Sequence, residues 1–251
     1  TMRKILLYFA IKYEGNYEKI YQAIKNKEQV KKEEIKQIEN NLKCNYITII
    51  DPLYPLKLKS IVTPPIVLFY YGDINLLTHS NNVAIIGTRK NSTYGQEMTQ
   101  KIVGELKKYQ ANTVSGLAIG IDGIGHQASI DNGIKTIAVL GSGIDYCYPN
   151  ENKRIYEYIK ENGLLISEYP GTLKPNKSFF LIRNRIIAAI SEYIVVIEAK
   201  YKSGTMNTVA YGLEYGKEIC CIPHLANEES GCNMLIKQGA KLIETAKDIY
   251  E

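Results

Sequence analysis

No stretch of the 251-residue chain holds the roughly 20 consecutive apolar residues that a membrane-spanning helix needs, so an anchor of that kind is excluded. The N-terminal MRKILLYFAIKY starts basic and turns apolar, but Lys12 interrupts it and no small-residue cleavage site follows. It reads as an amphipathic helix, and a soluble, cytoplasmic protein is expected. The five cysteines, Cys44, Cys147, Cys220, Cys221 and Cys232, contain no CxxC pair and no His/Cys ligand spacing. Neither a zinc site nor a disulfide framework is expected, and the thiols read as buried and reduced. The few histidines, His79, His126 and His224, lie in unrelated contexts. With no G-x-S-x-G elbow and no Walker loop, no nucleophile with a paired base can be assembled. The chain is therefore expected to bind a ligand rather than turn one over, without metal or cofactor.

What is present is ordinary for a globular protein, 45% hydrophobic and 23% charged. A net charge of +5 permits a nucleic-acid or acidic partner without requiring one. Residues 1–45 carry Lys and Glu at helical spacing, as in YEKIYQAIKNKEQVKKEEIKQIENNL, and read as a small helical region with solvated charged faces. Residues 46–80 include Pro52, Pro55, Pro64 and Pro65 and read as an extended lead-in with one strand, Ile66 to Tyr70. From 81 to 251, apolar runs alternate with longer amphipathic stretches. The runs are VAII (83–86), NTVS (112–115), TIAVL (136–140), LLIS (164–167), YIVVI (193–197) and EICCI (218–222). Continuous apolar strands alternating with helices indicate an α/β fold, a Rossmann-like, doubly wound, mostly parallel sheet. A ligand belongs at the carboxyl ends of its strands.

Those ends carry the informative motifs. The first strand runs into Gly87-Thr88-Arg89. Gly87 permits a tight turn, the N–H groups of the following helix favour an anion, and the Arg89 fork suits phosphate oxygens. A structural turn with a surface arginine explains the same residues. The second strand enters SGLAIGIDGIGHQAS, where Asp122 and His126 stand four apart. No further His or acid lies nearby, so a helix-capping Asp and a packed His account for both. The third strand ends in Gly141-x-Gly143, but the third glycine of a dinucleotide fingerprint is missing and Tyr148-Pro149 prevents a helix from starting there. Glu198, at the end of the fifth strand, falls far beyond the spacing of about 20 residues for a ribose-binding acid. A nicotinamide dehydrogenase is excluded.

Basic and aromatic residues concentrate in SEYPGTLKPNKSFFLIRNRIIAAIS, where Lys174, Lys177, Arg183 and Arg185 surround Phe179 and Phe180 with no acid from Gly171 through Ser191. Cations that follow phosphates beside a ring on which a base can stack suit a single-stranded nucleic acid. A solvated rim around two core phenylalanines is the plain alternative. Lys200 and Lys202 then precede Ser203-Gly204-Thr205, a second anion-friendly helix start.

Taken in order, VAIIGTR, SGLAIGID, TIAVLGSGID, the stretch SEYPGTLKPNKSFFLIRNRIIAAIS, VVIEA with SGT, and CNMLIKQGA resemble the DNA-processing protein A family of bacteria, also called Smf, over about residues 46–245. The resemblance implies an extended Rossmann fold that binds single-stranded DNA, usually as a homodimer in the cytoplasm. It implies that the protein receives incoming DNA in natural transformation and helps load the recombinase RecA, with no catalysis of its own. By position it places Arg89 and Lys177 on backbone phosphate, Phe180 against a base, and Arg183 and Arg185 in the same basic pocket. Gly87, Thr88, Lys202, Ser203 and Gly204 complete the expected DNA-binding set. This sequence has Leu181 where the family usually has proline and His224 where Pro-Gly is common, and many members carry a C-terminal winged-helix domain whereas these residues stop at Glu251. From the residues alone, a Rossmann-like module for a free nucleotide or nucleoside phosphate remains the alternative.

Overall fold

A computed structural model describes residues 1–251. Its strands are β1 (Asn45–Thr48), β2 (Val67–Gly72), β3 (Asn82–Ile86), β4 (Asn112–Ser115), β5 (Thr136–Gly143), β6 (Leu164–Tyr169), β7 (Tyr193–Val196), β8 (Glu218–Cys221) and β9 (Lys241–Leu242). The helices are α1 (Met2–Lys12), α2 (Tyr17–Lys25), α3 (Lys32–Asn41), α4 (Leu56–Lys59), α5 (Thr93–Leu106), α6 (Ile121–Asp131), α7 (Lys153–Asn162), α8 (Lys177–Ile190), α9 (Gly204–Glu214) and α10 (Gly231–Lys237). The strands form one sheet in the order β1-β2-β6-β5-β4-β3-β7-β8-β9. From β6 to β9 every neighbouring pair is parallel, and β2 and β1 add antiparallel at the far edge. The fold is the mostly parallel α/β architecture expected from the alternating runs.

Strand period explains the layers. In β3, Ala84 and Ile86 enter one core with α8 and α9, while Val83 and Ile85 enter the opposite core with α5 and α6. β7 divides the same way, with Ile194 and Val196 on the first face and Val195 on the second. Both faces of the central strands are therefore dry, which is why these strands read as unbroken apolar runs rather than alternating ones. Burying each such Ile or Val fully is worth about 1.5–3 kcal/mol relative to exposure. On the outer half of the sheet, α1, α2 and α7 cover β2, β5 and β6 through Leu7, Phe9, Ile20, Ile159 and Phe69.

The lead-in differs from its expected form. Residues 46–80 are more than a connector with one strand, because they include most of β1 as well as α4 and β2, and β2 pairs directly with β6. β1 escaped notice because NYIT is four residues long and partly exposed at the edge; β9, of two residues, is shorter still. The chain moves outward from β3 through β4 and β5 to β6, then returns to place β7 on the other side of β3. That reversal puts the crevice of the doubly wound fold at the carboxyl ends of β3 and β7.

Candidate nucleic-acid interface

An open cleft of about 740 Å³ lies at this reversal, on the side of the sheet that carries α8 and α9. Of the expected residues, Gly87, Thr88, Arg89, Lys177, Phe180, Arg183, Ser203 and Gly204 line it, while Arg185 and Lys202 do not.

The β3 turn is fixed by its backbone. Thr88 N–H donates to the Glu198 carbonyl at 2.8 Å, and the Thr88 carbonyl accepts from Ile121 N–H at 3.2 Å. A side chain at Gly87 would meet Ile121 Cγ1 at 2.6 Å and the Glu198 carbonyl oxygen at 2.9 Å, so only glycine lets β3 leave the sheet here. Held in this way, the turn projects the exposed Arg89 into the cleft.

Across the cleft, Asn176 caps α8 by accepting Phe179 N–H at 2.9 Å. The cap places exposed Lys177 at the rim and Phe180 one turn further in. The two adjacent phenylalanines then part. Phe179 stacks on Tyr169 with centroids 4.0 Å apart. Phe180 remains half-buried in the cleft, with its ring centroid 5.6 Å from that of Tyr148 and 5.3 Å from the Arg89 guanidinium carbon. Gly141 makes this pose possible, because a Cβ there would stand 2.6 Å from the Phe180 ring. Gly143 carries the 170–173 turn instead, donating its N–H to the Leu173 carbonyl at 2.8 Å. The Gly141-x-Gly143 pair thus seats a ring and a loop.

Arg183 and Arg185 do not share the cleft equally. Residues two apart on a helix point about 200° apart, so adjacent basic residues in sequence diverge in space. Arg183 forms the cleft floor and is 4% exposed. It donates to the Val139 carbonyl, and to the Gly116 carbonyl at 2.9 Å. Burial pulls its guanidinium down to about 10, with Asp122 opposing that fall and Arg89 adding to it. Arg185 is 2% exposed and faces away, donating to Glu168 Oε1 at 2.7 Å and to the Thr63 carbonyl at 2.9 Å. It fastens the lead-in to β6, and its expected place in the basic pocket is corrected accordingly. Lys202 is exposed outside the cleft.

Asp122 also changes role. Gly120 occupies the cap position of α6, whereas Asp122 Oδ2 accepts Gly116 N–H at 3.1 Å. Burial raises its carboxyl above the ordinary range despite the nearby Arg183 charge. His126 is packed as expected, fully buried with Nδ1 2.7 Å from Thr136 Oγ1. Burial lowers its imidazole to about 3, which keeps it neutral.

The helix start after β3 already carries an anion at its cap. Glu198 Oε2 accepts both Ser92 N–H and Ser92 Oγ–H at 2.9 Å, so the anion at the start of α5 is the protein's own carboxylate. Neither Ser92 nor Glu198 lines the cleft. The start of α9 is different: Ser203 Oγ donates to the Lys200 carbonyl at 3.0 Å instead of capping, and Ser203, Gly204 and Thr205 face the cleft. Sequence reasoning missed Asn184, which accepts from Arg183 Nε at 3.1 Å and donates to Asn207 Oδ1 at 3.2 Å, binding α8 to α9. An amide between Arg183 and Arg185, at the mouth of the apolar run IIAAI, was the available signal.

Fold and site together define a Rossmann-like α/β protein whose strand-end cleft offers cations and an aromatic ring where a dinucleotide protein has a glycine-rich loop. Residues 45–251 match the family model described as DNA recombination-mediator protein A, and the chain belongs to that family. It is 40% identical over 209 residues to the DNA processing protein DprA of Bacillus subtilis, covering 82% of this chain and 70% of the relative. The DprA of Streptococcus pneumoniae is likewise 40% identical over 204 residues, 80% of this chain and 72% of that one. The X-ray structure of the S. pneumoniae protein superimposes with a TM-score of 0.81 at 31% identity, over 98% of this chain and 92% of the other. The Helicobacter pylori DNA processing protein A, whose structure concerns its single-stranded DNA binding mode, matches with a TM-score of 0.75 at 33% identity, over 82% and 94% of the two chains.

Proposed function

We propose that this chain binds single-stranded DNA in the cleft, with Arg89 and Lys177 on backbone phosphates, Phe180 against a base and the start of α9 beside the strand. Arg183 acts from the floor, and Lys202 adds positive charge outside. The observation that carries this reading is the half-buried Phe180 ring in the open cleft, 5.3 Å from the Arg89 guanidinium carbon. Phe179, by contrast, stacks on Tyr169 and does not line the cleft. Base stacking on such a platform contributes about 1–3 kcal/mol per base and tolerates any sequence. The single-stranded DNA binding of the H. pylori relative supports the same use.

Family membership extends the proposal to receiving incoming DNA in natural transformation and helping RecA load onto strands coated by single-strand-binding protein. The chain would do so as a cytoplasmic homodimer without chemistry of its own. No helix is long and apolar enough to cross a membrane. The deciding experiment is fluorescence anisotropy with dT oligonucleotides of increasing length, set against thymidine monophosphate. Affinity that rises with length supports the proposal. Equal affinity for the monophosphate and a long oligonucleotide would instead make the cleft, with its volume of about 740 Å³, a free-nucleotide site. RecA filament formation on coated strands and light scattering test the two partner assignments.

A further inference from the structure

In a doubly wound fold, the first strand-to-helix turn is where a nucleotide phosphate meets helix N–H groups. Here that place is filled from within. Glu198, at the end of the neighbouring β7 segment, reaches across to Ser92, the cap residue of α5, and accepts from both its N–H and its hydroxyl at 2.9 Å. The Ser92 hydroxyl in turn accepts Gly95 N–H at 3.0 Å, completing the cap. Gly95 itself records the fit: any side chain there would overlap Glu198 Oε2. The carboxylate therefore lies over the first turn of α5, and the open cleft is displaced to the α8 and α9 side of the same strand ends.

We propose that Glu198 is a specificity-determining residue, occupying the phosphate seat of α5 so that a free nucleotide is refused while a strand is taken along Arg89 and Lys177. Two effects produce the refusal. Ser92 N–H and its hydroxyl are already bonded to the carboxylate, and that carboxylate repels a doubly charged monoester at short range. A phosphodiester carries a single charge per residue and need not enter the seat, since Arg89 and Lys177 meet it in the cleft. This inference rests on the cleft being a strand site.

The test compares wild type, Glu198→Ala and Glu198→Gln by calorimetry with AMP and with inorganic phosphate, and by anisotropy with a dT oligonucleotide. In Glu198→Ala the ratio of oligonucleotide to AMP affinity should fall by about tenfold or more, through a gain in AMP binding, a shift of roughly 1.4 kcal/mol. Glu198→Gln fills the seat without charge and should fall between the two. General damage to the turn loses affinity and does not create it, so a gain reports the vacated seat. A folded Glu198→Ala with no gain for AMP or phosphate overturns the inference, as does wild-type protein that already binds AMP as tightly as the oligonucleotide. If Glu198→Ala fails to melt cooperatively, the Gln variant decides by the same gain or its absence. Wild-type protein that binds neither oligonucleotide nor AMP overturns the strand reading itself, and the Glu198 variants then still show whether the seat opens.

Discussion

Arg185 and Glu168 form an ion pair at 2.7 Å in which the two residues are 2% and 3% exposed. The pair joins α8 to β6, and the Arg185 Nε donates onward to the Thr63 carbonyl of the lead-in. Removing one member strands a charge in the core. Arg185→Met should therefore destabilise the fold by about 3–5 kcal/mol, read from urea denaturation. Arg185→Met combined with Glu168→Leu should cost less than the single change, because no uncompensated charge remains. A double variant less stable than the single one would show that packing, not charge, dominates the site.

Arg89 and Lys177 call for a different measurement. If each neutralises one phosphate, replacing either by Ala should flatten the slope of log affinity against log salt by about 0.7 on a single strand. Thermal stability should change little, because both side chains are exposed. An unchanged slope in both variants would remove them from the DNA path.

Phe180 and Phe179 are adjacent in sequence but should separate by assay. Phe180→Ala should weaken oligonucleotide binding by about 1–3 kcal/mol with little effect on the salt slope. Phe179→Ala should act first on stability, since its ring stacks on Tyr169. Gly141→Ala should resemble Phe180→Ala in binding, because the added methyl would meet the ring at 2.6 Å and displace it. Equal oligonucleotide affinity for Phe180→Ala and wild type would refute the stacking role.

His126 sets a pH dependence. Burial, helped by the Arg183 charge, depresses its folded value to about 3 from an ordinary 6.5. The unfolded chain thus binds the extra proton first. The contribution of neutral His126 is complete above pH 6.5 and is lost as pH falls from 6.5 towards 3, by an amount on the order of a few kcal/mol. Asp122, with its raised carboxyl, opposes this trend, so the clean measurement is the difference between wild type and His126→Gln. That variant should show a flatter stability profile between pH 6.5 and 4; parallel profiles would rule out His126 as the source.

The parallel strands were legible because burial on both faces leaves an unbroken apolar run, and β4 matched its expected limits, Asn112 to Ser115. The edge strands were hidden by brevity and mixed polarity. At the cleft, Gly87, Thr88, Arg89, Lys177, Ser203 and Gly204 could be placed because turn and helix-start chemistry is local, although Lys202 of the turn before α9 stands outside. Arg185 could not, since its direction depends on the phase of α8, and neither could the partner of Ser92, which lies 106 positions away at Glu198. Long-range polar pairs of that kind leave no periodic trace in a single sequence.

The shortness of β9 has a consequence for how copies could meet. A two-residue edge strand offers almost no ladder for another chain to extend, and at the opposite margin β1 contributes only four residues. At the β9 margin a shared continuous sheet would have only that two-residue ladder to build on. Pairing of copies at that margin would instead rest on side chains meeting across helices and loops, where single substitutions can dissolve it without unravelling the sheet.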